Sequence, residues 1–331
     1  MRICIFGAGA VGGHFAAQLA ASGHEVSLVA RGAHLQAIRT NGVTLLKDER
    51  RIVGKVRASA DPKELGPQDF VIVTLKATGL AALADGAAPL LGPQTGVVFA
   101  QNGIPWWYAH GLAPSRPRPP DLSRMDPGAK LARAIAPERV IGGVVYSANE
   151  VAEPGVVRNT APGRNMLVLG EPDGRASERT SRLSAALERC EIQAPVETDI
   201  RRTVWAKLLL NLGSSSIGVV TGEGIRETVA DPALRQLRER MRAEGLAIAA
   251  AHGVSVEGAP LPPPHKDGGP QHKTSMLQDY ELGRPMEIDA ILMAPLWFAR
   301  AANVPAPVLE AVVALAAHKA AAKGLYELPA R

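Results

Sequence analysis

The sequence has few cysteines, few aromatic residues and no strongly charged segment. Its 331 residues include 2 cysteines and 4% aromatics, so a disulfide framework is excluded and aliphatic side chains must fill the core. Neither Cys4 nor Cys190 stands at a metal-site spacing, so no metal is predicted. The net charge of +5 is dispersed, without basic runs interleaved with aromatics, and nucleic acid is not expected as a partner.

An uninterrupted apolar stretch long enough to span a bilayer is also lacking. The apolar N-terminus does not have the pattern of a signal peptide, because a glycine motif, His14 and Gln18 interrupt it. Hydrophobic residues at 46% and charged residues at 21% are typical of a globular protein, and the length allows two domains. We therefore expect a cytoplasmic protein with no membrane partner.

Glycine is plentiful, and its most informative arrangement follows the first predicted strand, Ile3–Phe6. There a G-x-G-x-x-G motif precedes residues at helical spacing, which is the context that a dinucleotide site requires. Its first glycine permits a sharp turn, its second admits a pyrophosphate, and its third lets the helix pack closely on the sheet. The predicted cofactor-binding residues of this turn are Gly7, Ala8, Gly9, Ala10, Val11 and Gly12. The alternative is a glycine-rich turn without a ligand.

The end of the second predicted strand indicates which cofactor binds. NAD sites usually carry an acidic residue there, whereas an arginine suits the 2′-phosphate of NADP. The strand Glu25–Ala30 ends without an acid and is followed by Arg31, whose guanidinium can pair with a phosphate through two hydrogen bonds. We therefore predict NADPH rather than NADH. The alternative is a solvated arginine at a strand end.

The first 200 residues predict a doubly wound α/β sheet of the Rossmann type. The segment Phe70–Leu75 is apolar throughout, as expected for a central parallel strand, and ends at Lys76. The strand Gly96–Ala100 ends at Asn102. Since ligands gather at the carboxyl ends of such strands, Lys76 and Asn102 are candidate site residues. Around Pro154-Gly155, further strands predict an antiparallel extension of the sheet.

Strand patterns nearly vanish after Ile200, and long helical periods replace them. We predict a sheet domain at residues 1–197 and an all-α domain at residues 198–331, whose apolar faces suggest a homodimer. The proline-rich segment, defined here as Pro114–Gly128, is predicted to be a surface loop.

One helix of the second domain combines a lysine and an asparagine with apolar neighbours. Lys207 and Asn211 are four residues apart and share a helical face. A lysine surrounded by Trp205, Leu208 and similar residues is partly desolvated, which lowers its pKa towards a range useful for proton transfer. The alternative is a lysine that reaches to solvent along an apolar surface. We expect Gly213–Ser216 to interrupt this helix.

A polar cluster follows farther along the chain. Ser275 is predicted to cap a helix, and Glu287 either caps a later helix or pairs with Lys207.

Together these motifs make the sequence resemble the ketopantoate reductases (2-dehydropantoate 2-reductases) over nearly its whole length. The matching segments, in order, are the N-terminal glycine motif, Leu75-Lys76, Gln101-Asn102-Gly103, Pro154-Gly155, Trp205-x-Lys207-Leu208-x-x-Asn211, Ser275–Asp279 and Glu287-Ile288-Asp289. The resemblance implies NADPH-dependent reduction of 2-dehydropantoate to pantoate, as in pantothenate and coenzyme A biosynthesis.

The resemblance also implies roles for individual residues. It makes Lys207 the catalytic acid, with Glu287 beside it at the catalytic and cofactor site. Arg31 and Lys76 face the adenosine phosphate, and Asn102 lies near both nicotinamide and substrate. The implied substrate-binding residues are Asn102, Asn211, Ser215, His272 and Ser275. Two of them depart from the family pattern, because Ser215 and His272 replace asparagines.

In the mechanism we expect, a 2-keto acid lies in the cleft between the domains and Lys207 supplies the proton. Two alternatives stay open at this point. One is a reductase of the same architecture that acts on another 2-keto acid or an imine. The other is a non-catalytic NADPH sensor.

Overall fold

A computed structural model describes residues 1–263 and 273–329. They form two compact units, each described by itself. The sheet unit contains Met1–Gln101, Asp126–Ile200 and Pro260–Pro263. The helical unit contains Asn102–Met125, Arg201–Ala259 and the described residues from Lys273 onward.

The predicted domains, 1–197 and 198–331, are continuous in sequence, whereas the observed units are not. The segment Asn102–Met125 belongs to the helical unit, since its backbone bonds to residues there. The Ile104 amide donates to the carbonyl of Ala290 at 2.8 Å, and the Arg201 Nη2 donates to the carbonyl of Tyr108 at 2.7 Å.

The sheet unit has two sheets. The strands are β1 Arg2–Phe6, β2 Glu25–Val29, β3 Val43–Lys47, β4 Arg50–Gly54, β5 Arg57–Ser59, β6 Gln68–Val73, β7 Leu91–Ala100, β8 Val140–Tyr146, β9 Asn149–Glu153, β10 Val156–Asn159 and β11 Met166–Gly170. The larger sheet has seven strands in the order β11-β8-β7-β6-β1-β2-β5. Its strands are parallel except β11, which pairs antiparallel with β8.

The strand order reverses direction between β1 and β6, as in a doubly wound sheet. Strand β6 lies between β1 and β7, and Phe70 to Val73 are at most 2% exposed, which explains why this segment is apolar throughout. The predicted Rossmann-type fold is confirmed. The carboxyl ends of β1, β2, β6 and β7 share one edge of the sheet.

The predicted antiparallel extension of this sheet is only partly correct. Strands β9 and β10 form a hairpin around Pro154-Gly155, where Gly155 has a φ of 80°. This hairpin belongs to a second sheet, in the order β4-β3-β10-β9, and only β11 extends the larger one. The two halves of the second sheet are about 100 residues apart in sequence, so their pairing is not visible in local patterns.

The α-helices lie in both units. They are α1 Ala10–Ala21, α2 Gly32–Asn41, α3 Leu80–Gly86, α4 Lys130–Ala134, α5 Glu178–Glu188, α6 Ile200–Thr221, α7 Ile225–Ala230, α8 Pro232–Ala251, α9 Ser275–Glu281, α10 Ala294–Ala301 and α11 Pro307–Ala322. Helix α1 packs closely on the second sheet, because a Cβ at Gly13 would lie 2.5 Å from Val157 Cγ2. The predicted all-α character of the second half is confirmed for the described residues from Arg201 onward.

Helix α6 is longer than predicted. It continues through Gly213–Ser216, since the Ser214 and Ser216 hydroxyls donate to carbonyls one turn earlier, those of Leu210 and Leu212. Its length and composition would allow it to cross a membrane, but 78% of its most apolar window is buried within the fold. It therefore has the character of a core helix.

Candidate active site

The glycine motif forms a turn whose geometry matches its predicted use. Gly7 has a φ of 118°, which other residues rarely adopt. A Cβ at Gly12 would collide with the carbonyl oxygen of Gly7 and lie 2.5 Å from Thr74 Oγ1. A Cβ at Gly9, by contrast, would have no atom within 4 Å. Gly12 is therefore required by the fold, whereas Gly9 leaves open space above the turn.

The start of α1 is suited to an anion. The first amides of a helix have no intrahelical acceptor, and the helix dipole places partial positive charge there. Gly9 stands at the N-cap position, where it offers no capping side chain, and the first turn carries no acid. These amides and the open face at Gly9 therefore fit the pyrophosphate of a dinucleotide.

Arg31 and Lys76 follow the strands on either side of β1. Arg31 is exposed and precedes α2, and Lys76 follows the short segment after β6. The turn itself is fixed to β6, because Thr74 Oγ1 donates to the Gly7 carbonyl at 2.7 Å. The structure thus brings the glycine turn, Arg31 and Lys76 to neighbouring strand ends, as the sequence predicts.

Asn102 lies in the helical unit, where the segment after β7 meets the residues after Glu287. Gly103 has a φ of 81°, and a Cβ there would collide with the carbonyl group of Ala290. The Ile104 amide donates to the same carbonyl. The glycine of the Gln101-Asn102-Gly103 motif therefore allows a close approach that holds Asn102 beside the Glu287 segment.

Lys207 lies among apolar residues of α6, as the sequence predicts. Its side chain is partly accessible, yet the apolar surroundings on α6 desolvate the ammonium group and lower its pKa from 10.5 to about 7. The negative charge of Glu287 acts in the opposite direction and raises this pKa. Glu287 is 7% exposed. The structure therefore couples the two predicted catalytic residues electrostatically.

The predicted substrate residues on α6 share a face with Lys207. Asn211 follows one turn later and is half-buried, and Ser215 follows two turns later and is 3% exposed. A Cβ at Gly218, farther along the same face, would lie 3.7 Å from Thr274 Oγ1. The start of α9 therefore lies against this face.

Ser275 does not cap α9. Thr274 is the N-cap residue, and its hydroxyl accepts a hydrogen bond from the Leu277 amide at 3.2 Å. Thr274 has non-helical backbone torsions, with φ of −59° and ψ of 153°, while Ser275 is already helical and is exposed. The prediction missed the boundary by one residue. His272, another predicted substrate residue, lies outside the described residues.

Two family models match the chain in succession. The model described as ketopantoate reductase PanE/ApbA matches residues 3–174, and the C-terminal model of the same family matches residues 199–320. The chain belongs to the ketopantoate reductase family. It is therefore an oxidoreductase, as the sequence predicts.

Individual ketopantoate reductases show similarity over the full length. A 2-dehydropantoate 2-reductase from Mesorhizobium japonicum is 44% identical over 335 residues, covering 98% of this chain and all of that one. A crystal structure from Ralstonia solanacearum MolK2, assigned provisionally as a ketopantoate reductase, is 37% identical with a TM-score of 0.84, covering 98% of this chain and 99% of that one.

The fold extends beyond ketopantoate reductases. The ternary structure of D-mandelate dehydrogenase with NADH and anilino(oxo)acetate has a TM-score of 0.79 and covers 98% of this chain and all of that one. At 19% identity, this similarity shows the fold alone.

The structure also shows supporting residues that the sequence patterns did not reveal. The far side of α6 is held by aromatic contacts: Trp205 Nε1 donates to Tyr108 Oη at 2.8 Å, and Phe298 packs edge-on against both rings. The guanidinium of Arg201 donates to the carbonyls of Tyr108 and His110. These contacts fix the rotation of α6. The Trp106-Trp107-Tyr108 run, in a chain with so few aromatics, was the available signal.

Metal chemistry has no candidate site in the described ranges, where no group of three or more His, Cys, Asp or Glu side chains is placed to hold an ion.

Proposed function

We propose that this oxidoreductase reduces 2-dehydropantoate to pantoate with NADPH. The observation that carries the proposal is the placement of Lys207 on α6, where Asn211 and Ser215 follow on the same face and burial among apolar residues lowers the Lys207 pKa to about 7. The 44% identity with a named 2-dehydropantoate 2-reductase supports the same substrate. The family assignment gives no support to the alternative of a non-catalytic sensor.

The proposed chemistry assigns Lys207 the role of general acid. Bound NADPH supplies a hydride to the ketone carbon. Lys207 stabilises the negative charge that grows on the carbonyl oxygen and donates its Nζ proton to it. An acid with a pKa near the working pH is suited to this transfer. Glu287 keeps a larger fraction of Lys207 protonated, because its charge raises the pKa of the lysine.

We propose that four described residues contact the substrate. Asn102, Asn211 and Ser215 present amide or hydroxyl groups on the Lys207 face or next to the Glu287 segment, and Ser275 lies at the start of α9. Amides and hydroxyls of this kind bind a carboxylate or a hydroxyl by hydrogen bonds. His272 is proposed from the resemblance alone.

We propose NADPH as the cofactor. The residues that would hold it are the glycine turn, Arg31 and Lys76. The preference over NADH rests on Arg31, an exposed cation where NAD sites usually carry an acid. The D-mandelate dehydrogenase was solved with NADH, so the shared fold does not itself fix the cofactor.

The proposed substrate and cofactor can be tested by measuring initial rates of NADPH oxidation with 2-dehydropantoate and with a panel of other 2-keto acids and imines. We expect 2-dehydropantoate to give the highest kcat/KM and NADPH to be preferred over NADH. A higher kcat/KM with another keto acid or an imine would refute the substrate assignment. A preference for NADH would refute the assignment of Arg31. The homodimer and the cytoplasmic location stay predictions.

A further inference from the structure

The carboxylate of Asp289, two residues after Glu287, is held on both oxygens. Arg124 Nε donates to Asp289 Oδ2 at 3.0 Å, and its Nη2 lies 2.9 Å from the same oxygen. Tyr326 Oη donates to Oδ1 at 2.5 Å. All three residues belong to the helical unit. Charge-assisted and forked hydrogen bonds of this type have a defined direction, so they fix the position of Asp289.

The arginine comes from the proline-rich segment, to which the proposed function assigns no role. Arg124 also donates to the carbonyl of Glu327 at 3.1 Å, and its guanidinium lies 6.0 Å from the centre of the Tyr326 ring. One side chain therefore joins this segment, the residues after α11 and the segment that carries Glu287. We call Arg124, Asp289 and Tyr326 the clamp.

Glu287 is held on its other side as well. The Met286 amide donates to the carbonyl of Leu325 at 3.1 Å, one residue before the clamp tyrosine. Glu287 thus lies between two attachments to the same C-terminal segment. Its own carbonyl accepts from the Ile291 amide at 3.1 Å, which leads into a π-helical turn at Asp289–Met293. Such turns are rare and occur often at functional sites.

We propose that the clamp positions the Glu287 carboxylate toward Lys207, and that Arg124 and Tyr326 are positioning residues of the active site. The proposal rests on the proposed function of Lys207 as proton donor. Neither Arg124 nor Tyr326 needs to touch the substrate. Burial lowers the Lys207 pKa and the charge of Glu287 raises it, while Arg124 and Tyr326 donate hydrogen bonds to Asp289.

The test replaces Arg124 by Gln and Tyr326 by Phe and measures the pH dependence of kcat/KM. When Glu287 moves away, the Lys207 pKa falls, because an opposite charge that favours the protonated lysine is weakened. We expect the rate above neutral pH to drop about three- to tenfold in Arg124→Gln, which is the effect of a pKa fall of roughly half to one unit, and less in Tyr326→Phe. The affinity for NADPH should not change.

A second readout does not need turnover. The pH dependence of Lys207 acylation by a small amine-reactive reagent, followed by mass spectrometry, reports the lysine pKa directly. If the wild-type protein failed to reduce any keto acid, the proposed function would fail, while the acylation profile would still test the clamp. If Arg124→Gln does not fold, Tyr326→Phe decides the test, because it removes only one hydroxyl.

Two controls separate positioning from general stability. Arg158→Gln removes an exposed ion pair with Glu150, in the sheet unit, and should leave both profiles unchanged. In a Glu287→Gln background, Arg124→Gln should cause no further shift, since the charge it positions is gone. A lower Tm in the clamp variants with an unshifted Lys207 profile would overturn the proposal, and so would an equal shift in the Glu287→Gln background.

Discussion

The glycine turn and the Lys207 region differ in how many parts of the chain build them. The turn is made by six consecutive residues and packs against two more, Leu75 and Thr74, of which Thr74 bonds to the Gly7 carbonyl. The Lys207 region requires segments near residues 102, 207 and 287, and the Ile104–Ala290 hydrogen bond joins two of them. Backbone shape is the requirement in the first region, and electrostatic environment is the requirement in the second.

This difference determines how each region should respond to substitution. In the glycine turn, adding a methyl group changes either the backbone or the ligand space, depending on which glycine is chosen. In the Lys207 region, the same fold can persist while proton transfer is lost. The predictions below test this contrast, beginning with the largest effect.

Removing the Lys207 amine should separate chemistry from folding. We expect Lys207→Ala to lower kcat by about 10²–10⁴-fold, which is the usual contribution of a general acid, while NADPH still binds. Steady-state rates and a fluorescence titration with NADPH would measure both. Turnover close to that of the wild type would show that Lys207 is not the acid.

Two glycines of one turn should give opposite results. Gly12→Ala forces its Cβ against the Gly7 carbonyl, which we expect to cost about 1–3 kcal/mol of unfolding free energy, as overpacking does. Gly9→Ala places its Cβ in open space, and the φ of Gly9, −71°, is one that alanine adopts without strain. The Tm of this variant should therefore stay at the wild-type value. Its affinity for NADPH should nevertheless fall, because the methyl group occupies the ligand face. Thermal melts and cofactor titrations of both variants test the contrast. Equal losses of Tm would contradict it.

The rate should depend on pH through Lys207. The acid acts in its protonated form, so kcat/KM for reduction should be level at low pH and fall about tenfold per pH unit above the Lys207 pKa of about 7. A pH–rate profile of the reduction measures this, with the NADPH affinity as the control that should not follow it. A profile that stays level well into the alkaline range would be inconsistent with this role.

Arg31 should affect one cofactor only. We expect Arg31→Ala to weaken NADPH binding by about tenfold, since one charge-assisted contact with the 2′-phosphate is lost, and to leave NADH unchanged. Arg31→Lys keeps the positive charge but loses the planar guanidinium that can donate two hydrogen bonds to one phosphate. Its affinity for NADPH should lie between those of the wild type and Arg31→Ala. Equal effects on both cofactors would place Arg31 away from the 2′-phosphate.

Many elements were predictable because their causes are local. The apolar strand β6 and the glycine turn before α1 follow from residues within a few positions of each other. Other features were not predictable, because their causes are contacts with distant residues or bonds that the residue types do not reveal. The pairing of β3 with β10 joins distant residues, and α6 continues past Gly213 because the Ser216 hydroxyl bonds within the helix and Gly213 packs on Arg238.

The sequence predicted which residues are candidates for the site better than it predicted the contacts that hold them in place. Lys207 and Glu287 were named from the sequence, and the structure couples them through charge. Arg124 was not, because it is one arginine in the proline-rich segment, and its contact with Asp289 spans 165 residues. The hydrogen bond from Trp205 on α6 to Tyr108 spans 97 residues.

By itself, the sequence determined the glycine turn, the order of most strands and helices and the residue types of the proposed proton donor Lys207 and its neighbour Glu287, since each depends on short-range backbone preference or side-chain chemistry. Only the tertiary structure decided that Asn102 joins the helical unit, that Glu287 acts on Lys207 and that Arg124 and Tyr326 hold Asp289. These outcomes depend on distances between residues far apart in the chain, which are set when the apolar surfaces pack and bring their polar neighbours with them.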